Sequence, residues 1–187
     1  MIYMNVVLLD KILNSLTRVA RYLKEKNYVE ANGGNISARL SRSRILIKRS
    51  GISFKDLIPK HLITVDLSEE NPPHVSSDYL IHRYIYLKTD AKYIIHVHPS
   101  NLVSITYKLN ELKPITYDSK VILGDAIPIL NPHNHFDLIK LIDKKILAKG
   151  IIIEKGHGVY VFGSDIMKLV NLIEVLEHLS YITLKTI

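Results

Sequence analysis

The stretch Tyr93-Ile94-Ile95-His96-Val97-His98 carries the pattern on which the reading of this chain turns. It is a short apolar run rich in β-branched residues, and it reads as a buried strand. Side chains two apart on a strand share a face. His96 and His98 therefore project together, while Ile95 and Val97 turn towards a core. Outward from this strand, residues 36–40 and 44–48 form a hairpin pattern, with Ile45 and Ile47 facing opposite to Leu46 and Lys48. Residues 62–67 and 126–130 are further strand candidates. Residues 150–154 and 159–162 flank Lys155-Gly156-His157-Gly158, which fits a tight hairpin.

Helical periodicity fills the intervals. Leu9, Ile12, Leu13, Leu16, Val19, Ala20 and Leu23 recur at three- and four-residue steps and predict a helix over 6–26. Ser77 is expected to cap a helix running from Asp78 to Leu87, with Asp78 near its positive end. Residues 100–108 read as helical. A stripe at Leu138, Leu141, Ile142 and Ile146 predicts one helix over 136–148. Ser164 is expected to cap a last helix with Ile166, Leu169, Val170, Ile173 and Leu176 on its core face. Helices at both ends and between strands predict a layered α/β domain.

The bulk composition narrows the function classes. A chain of 187 residues, 47% apolar and 23% charged, suits one domain spanning 1–187 with a sizeable core. No apolar run approaches the ~20 residues that cross a bilayer, so no membrane association is expected. The start, MIYMNVVLLDKILNSL, lacks the basic opening and small-residue cleavage site of a signal peptide, and a cytoplasmic location is expected. There is no cysteine, which rules out disulfides and thiolate metal sites. Any transition metal must use His, Asp or Glu, a donor set that suits zinc. The net charge of +7 comes from scattered lysines. No arginine-rich block or aromatic-basic interleaving accompanies it, so nucleic acid is not an expected partner.

The histidines differ in placement. His96 and His98 on one strand face are a natural pair of zinc ligands, against the alternative of two half-buried histidines at a strand end. His157 lies between Gly156 and Gly158, where the backbone can pass close to another group. Core packing explains such a histidine poorly, and it is the natural third ligand. His133 and His135 share the spacing of the strand pair but fall among Asn and Pro. They are set aside as loop residues outside the site. His61, His74, His82 and His178 read as surface or helix residues. Asn32–Asn35, Ser50-Gly51 and Ser76-Ser77 are small polar fragments at turns or a helix start. Each alone is a turn or a cap; beside a metal site, their backbone N–H groups become candidates for an anion cradle.

The order of these fragments, Gly34-Asn35-Ile36-Ser37, Ser50-Gly51, Ser76-Ser77-Asp78, His96-Val97-His98 and Gly156-His157-Gly158-Val159, resembles the class II aldolase and adducin-head family. The small fuculose-phosphate-type aldolases are its most similar members by length, and the likeness runs from about Lys26 to Tyr181. It implies a three-layer α/β/α fold with a central, largely antiparallel sheet covered by helices on both faces. It also implies a homotetramer with active sites between subunits. By this resemblance His96, His98 and His157 hold zinc, or another divalent transition metal. Gly34, Asn35, Ser50, Gly51, Ser76 and Ser77 hold the phosphate of a sugar substrate. Asp78 is the acid/base carboxylate, and Tyr117 enters a neighbour's site to protonate an aldehyde oxygen. The implied activity is zinc-dependent cleavage of a ketose 1-phosphate, like fuculose 1-phosphate, to dihydroxyacetone phosphate and an aldehyde through a metal-stabilised enediolate.

One residue departs from that pattern. The family's aldolases carry glutamate where this chain has Asp78, shorter by about 1.5 Å. Asp78 instead resembles the aspartate of the family's pentulose-5-phosphate 4-epimerases. Those epimerases draw a catalytic tyrosine from a C-terminal tail, and this sequence stops at Ile187. The resemblance also leaves open a sugar-phosphate dehydratase, such as that of methylthioribulose phosphate. The adducin head, a non-enzymatic member, lacks the metal ligands that are present here.

Overall fold

The computed structural model describes residues 6–187; Met1 to Asn5 of the N-terminal stretch lie outside the described residues. The strands are β1 (Asn35–Arg39), β2 (Arg44–Lys48), β3 (Leu62–Asp66), β4 (Tyr93–Val97), β5 (Glu111–Leu112), β6 (Ile127–Leu130), β7 (Ile151–Glu154) and β8 (Gly158–Gly163). They form one sheet in the order β3-β2-β1-β4-β8-β7-β6-β5. Every pairing is antiparallel except β6 with β7. The stretch 93–97 lies near the centre, between β1 and β8.

Both faces of the sheet are covered. The helices are α1 (Val6–Glu25), α2 (Tyr79–Lys88), α3 (Ser100–Thr106), α4 (Tyr117–Leu123), α5 (His135–Leu141), α6 (Lys144–Lys149) and α7 (Ile166–Thr186). One core packs Leu16, Leu23, Leu102, Leu123, Leu169 and Ile173, from α1, α3, α4 and α7, against Ile36, Ile95, Val97 and Val159. The other packs Ile81, Ile85, Leu138 and Ile146, from α2, α5 and α6, against Ile45, Ile47, Ile94 and Tyr160. Strand alternation sorts the side chains, so Ile95 and Val97 join the first core while His96 shares a face with Ile94. The fold is the three-layer α/β/α arrangement with a largely antiparallel sheet.

Local details correct four expectations. Ser77 does not cap α2: Asp78 occupies the cap position, without a side-chain cap bond. Asp165, not Ser164, caps α7, accepting from the Met167 and Lys168 amides. The single helix expected over 136–148 is two. It breaks at Ile142, and Asp143 caps a new start by accepting from Ile146 N. The apolar periodicity runs through this break because both helices face the same core. The remaining correction concerns His135, which begins α5. Asn134 caps this helix by accepting from Asp137 N at 3.0 Å.

Candidate active site

Three elements bring the histidines together. His96 lies on β4, His98 follows it, and His157 sits in the turn between β7 and β8. The hairpin closes on Glu154 opposite Gly158, and Gly156 takes φ +70°, a conformation glycine adopts without strain. Thr106 Oγ1 braces the turn by accepting from Gly156 N at 2.9 Å. Gly158 must stay small, because a Cβ there would come within 2.7 Å of His98 Cδ2.

The three imidazoles form a near-equilateral cluster, with ring centroids 4.7, 4.7 and 5.0 Å apart. One nitrogen from each lies within 4.8 Å of the others. His96 and His98 approach Nε2 to Nε2 at 2.9 Å. Ligands about 2.0–2.1 Å from a tetrahedral ion are separated by roughly 3.3 Å, so this spacing suits a shared cation. The outer nitrogens are tied down. His96 Nδ1 donates to Val159 O at 3.1 Å, and His157 Nδ1 lies 2.7 Å from Glu154 Oε2. Each bond leaves the Nε2 lone pair for a metal, the supporting pattern of histidine ligands. Burial and neighbouring imidazoles hold His96 well below the ordinary histidine pKa, and burial lowers His98 too. The Glu154 carboxylate raises His157. Neutral imidazoles are the ligating form, and the donor set fits a divalent transition metal.

Asp78 is buried beside this cluster, its Oδ2 3.9 Å from His96 Nε2. Four donors surround the carboxylate. Asn35 Nδ2 donates to Oδ2 at 2.5 Å and Ser76 Oγ at 3.2 Å. Tyr160 OH donates to Oδ1 at 3.3 Å, and His135 Nε2 lies 3.0 Å from the same oxygen. Burial by itself would raise the Asp78 pKa. The His135 hydrogen bond, with the histidine charges around it, outweighs burial and holds the carboxyl well below the usual range. His135, set aside in the sequence as a loop residue, is therefore part of the site. The signal that would have found it is Asn134 three residues before Asp137, a helix start that places His135 in the first turn.

The phosphate-cradle fragments also converge. Ser50 N donates to His74 O at 2.8 Å, and Arg49 bridges to Val75. Asn35 Nδ2 reaches Ser76 Oγ at 3.5 Å. Gly34 and Gly51 take φ of +70° and +77°. Gly34 packs tightly, since a Cβ would meet the His96 carbonyl oxygen at 3.0 Å, whereas Gly51 faces open space. Ser50 and Ser77 are exposed. Beneath these loops lies a residue the sequence reading passed over. Lys48 is 1% exposed and its Nζ donates to Ile52 O at 2.8 Å and Asn32 O at 3.4 Å. It joins two of the three fragments and places a cation under them. Burial lowers its pKa to about 8, with Asp78 acting in the opposite direction.

His82 is fully buried on α2, one turn after Asp78. Its Nδ1 lies 2.8 Å from Ser37 Oγ, which is 2.8 Å from Tyr86 OH. Burial lowers its pKa to about 4, so it is a neutral support beneath the site. Tyr117 stands apart. It opens α4 and is 80% exposed. Among the described residues no helix is long and apolar enough to cross a membrane.

Comparison with known proteins agrees with this geometry. Methylthioribulose-1-phosphate dehydratase of Sulfurihydrogenibium sp. (strain YO3AOP1) is 28% identical over 90% of this chain and 86% of its own length. The 3-oxo-tetronate 4-phosphate decarboxylase of Haemophilus influenzae is 26% identical, over 87% of this chain and 81% of its own. The crystal structure of L-fuculose-1-phosphate aldolase from Thermus thermophilus superposes with a TM-score of 0.85 at 24% identity, covering 95% of this chain and 94% of that one. The model of the class II aldolase and adducin N-terminal domain matches residues 14–184. The chain belongs to the class II aldolase and adducin N-terminal domain family.

Proposed function

We propose that this protein is a divalent-metal-dependent lyase that cleaves, or forms, a carbon–carbon bond in a ketose 1-phosphate, giving dihydroxyacetone phosphate and an aldehyde. The observation that carries the reading is the joining of two sites by one residue: Asn35 lies in the phosphate cradle and binds Asp78, which lies 3.9 Å from His96. His96, His98 and His157 would hold the cation, with zinc the best match to an all-imidazole set. A bound cation supplies Lewis acidity to the substrate carbonyl and its neighbouring hydroxyl. Lys48, Asn35, Gly51 and the Ser50, Ser76 and Ser77 hydroxyls hold the phosphate, so remote binding energy fixes the reacting carbon. Asp78 belongs to the unit that moves a proton at that carbon.

A second reading is favoured by the relatives. Several proteins named methylthioribulose-1-phosphate dehydratase are 25–28% identical to this chain over most of its length. Dehydration would begin with the same operation, proton removal beside a carbonyl. The deciding experiment feeds the purified protein fuculose 1-phosphate, methylthioribulose 1-phosphate and ribulose 5-phosphate in parallel, with chelator and with zinc. Dihydroxyacetone phosphate that vanishes with chelator and returns with zinc supports the aldolase. Metal-dependent loss of water from the second substrate supports the dehydratase, and xylulose 5-phosphate from the third an epimerase. Full turnover by metal-free His96→Ala protein would sink the metal scheme.

A further inference from the structure

Asp78 is a poor candidate for direct proton transfer. Its oxygens take four hydrogen bonds, from Asn35, Ser76, Tyr160 and His135, and each must loosen before the carboxylate can accept a proton. His96 and His82, both fully buried, are kept neutral by burial, so the bond from His135 is the persistent reason that Asp78 stays ionised. A carboxylate so stabilised is a weak base, whereas general-base efficiency favours a group that titrates near the working pH.

His135 has the complementary properties. A carboxylate only accepts hydrogen bonds, so the 3.0 Å contact to Asp78 Oδ1 requires the proton on His135 Nε2. In the neutral ring, Nδ1 is then the bare nitrogen, and it has no hydrogen-bond partner among the described residues. The His135 side chain is 23% exposed against 13% for Asp78, so the imidazole stands on the solvent side of the carboxylate. The width of the ring adds the reach that aspartate lacks relative to glutamate. The groups facing His135 are Asp78 from α2, and Glu154 and His157 from the β7–β8 hairpin. The hydrogen bond to Asp78 raises its pKa above the ordinary histidine value, against burial and His157.

We propose that His135 is the catalytic residue that exchanges a proton with substrate carbon through Nδ1, and that Asp78 is the carboxylate that orients it. This rests on the functional reading above, in which the substrate is a carbon acid beside a carbonyl. In the step, the C–H bond breaks and its electron pair delocalises into the adjacent carbonyl system. The proton forms a bond to Nδ1 and the imidazole becomes imidazolium, still bound to Asp78 through Nε2–H. The reverse transfer returns the proton to carbon. No oxidant or further reactant is needed.

The test is solvent exchange in D2O with zinc-loaded protein, using dihydroxyacetone phosphate and methylthioribulose 1-phosphate as probes. In the wild type, deuterium should enter at the carbon beside the carbonyl of at least one probe. His135→Asn should lower that rate by about 10²- to 10⁴-fold, with zinc content unchanged and KM altered less than threefold. In His135→Ala, added imidazole should restore exchange, which a merely structural role would not allow. Independently of turnover, ¹⁵N NMR of the wild-type ring should show Nε2 protonated and Nδ1 bare above its pKa, a preference lost in Asp78→Asn. Undiminished exchange in a folded His135→Asn protein overturns the proposal and leaves the function standing. A ring protonated at Nδ1 with Nε2 bare overturns it as well. A zinc-loaded wild type that exchanges neither probe removes the functional reading and this proposal together.

Discussion

Asn35 and His96 are register partners across the antiparallel β1–β4 pair. Residues directly opposite in such a pair project to the same side of the sheet. The side chain of a cradle residue and that of a metal-ligand candidate thus emerge together, and Asp78 on α2 meets both, at 2.5 Å and 3.9 Å. Asn35→Ala should therefore do more than weaken phosphate binding. It strips a buried carboxylate of its shortest hydrogen bond, at a cost of about 1–3 kcal/mol. We expect a lower denaturation midpoint and a fall in kcat as well as a rise in KM. A variant affected in KM alone would show that Asn35 serves the phosphate and nothing else.

The Glu154–His157 contact predicts a separable effect on the metal. Glu154 Oε2 accepts from His157 Nδ1 at 2.7 Å and fixes which nitrogen faces the cluster. Glu154→Gln keeps the size and removes the charge. Loss of such a supporting carboxylate typically weakens metal affinity 10- to 100-fold. Competition with a chromogenic chelator would measure it. The fold should hold, since its thermal midpoint in excess zinc is expected to match the wild type. Unchanged zinc affinity would mean that the backbone of the glycine-flanked turn alone sets the His157 orientation.

Lys48 gives a pH dependence whose sign is determined. Its pKa in the folded chain is lowered by burial to about 8, from 10.5. Below pH 8 the ammonium is charged in folded and unfolded chains alike, and the full cost of burying it is borne. Between about pH 8 and 10.5 the unfolded chain binds more protons, so this group makes stability rise with pH. Phosphate affinity should run the other way, strong below about 8 and falling above it as the charge is lost. Lys48→Met should raise the thermal midpoint at pH 7 while weakening inorganic phosphate binding at least tenfold. Calorimetric titration at pH 7 and 9.5 would check this, the difference between variant and wild type shrinking at the higher pH. Equal phosphate affinity of the two proteins at pH 7 would remove Lys48 from the cradle.

The parts of the site that were legible in the sequence are those fixed by local spacing. His96 and His98 follow from strand alternation, and His157 from its flanking glycines. Asn35, Ser50 and Ser76 stand out as small polar residues at chain reversals. The residues that escaped depend on distant pairing. His135 acquires its meaning only when α5 packs near α2 and presents it to Asp78. Lys48 alternates with Ile47 as a solvent-facing lysine would, and its burial arises because the loops at Asn32 and Ile52 close over it. For the fold, β5 has two residues and offers no period to detect. The helix break at Ile142 was hidden by apolar spacing that serves two helices equally well.

Tyr117 yields a prediction that needs more than one copy of the chain. It lies at the first position of α4, fixed by the reciprocal bonds of Thr116 and Ser119, and it is 80% exposed. Val121 and Ile122 on the same helix are 68% and 51% exposed. Contiguous exposed apolar residues mark association surfaces, and we propose that this helix meets a second copy, whose site Tyr117 completes. Light scattering should then give a closed oligomer, and Tyr117→Phe should keep that mass while losing activity. The stronger check mixes two inactive variants, Tyr117→Phe and His96→Ala, after reversible dissociation. In a mixed oligomer, a site with intact His96 can receive Tyr117 from its neighbour, so part of the activity should return. If the mixture stays inactive while each variant assembles normally, Tyr117 does not act across the interface. A stable monomer with full activity would remove both the interface and the role assigned to Tyr117.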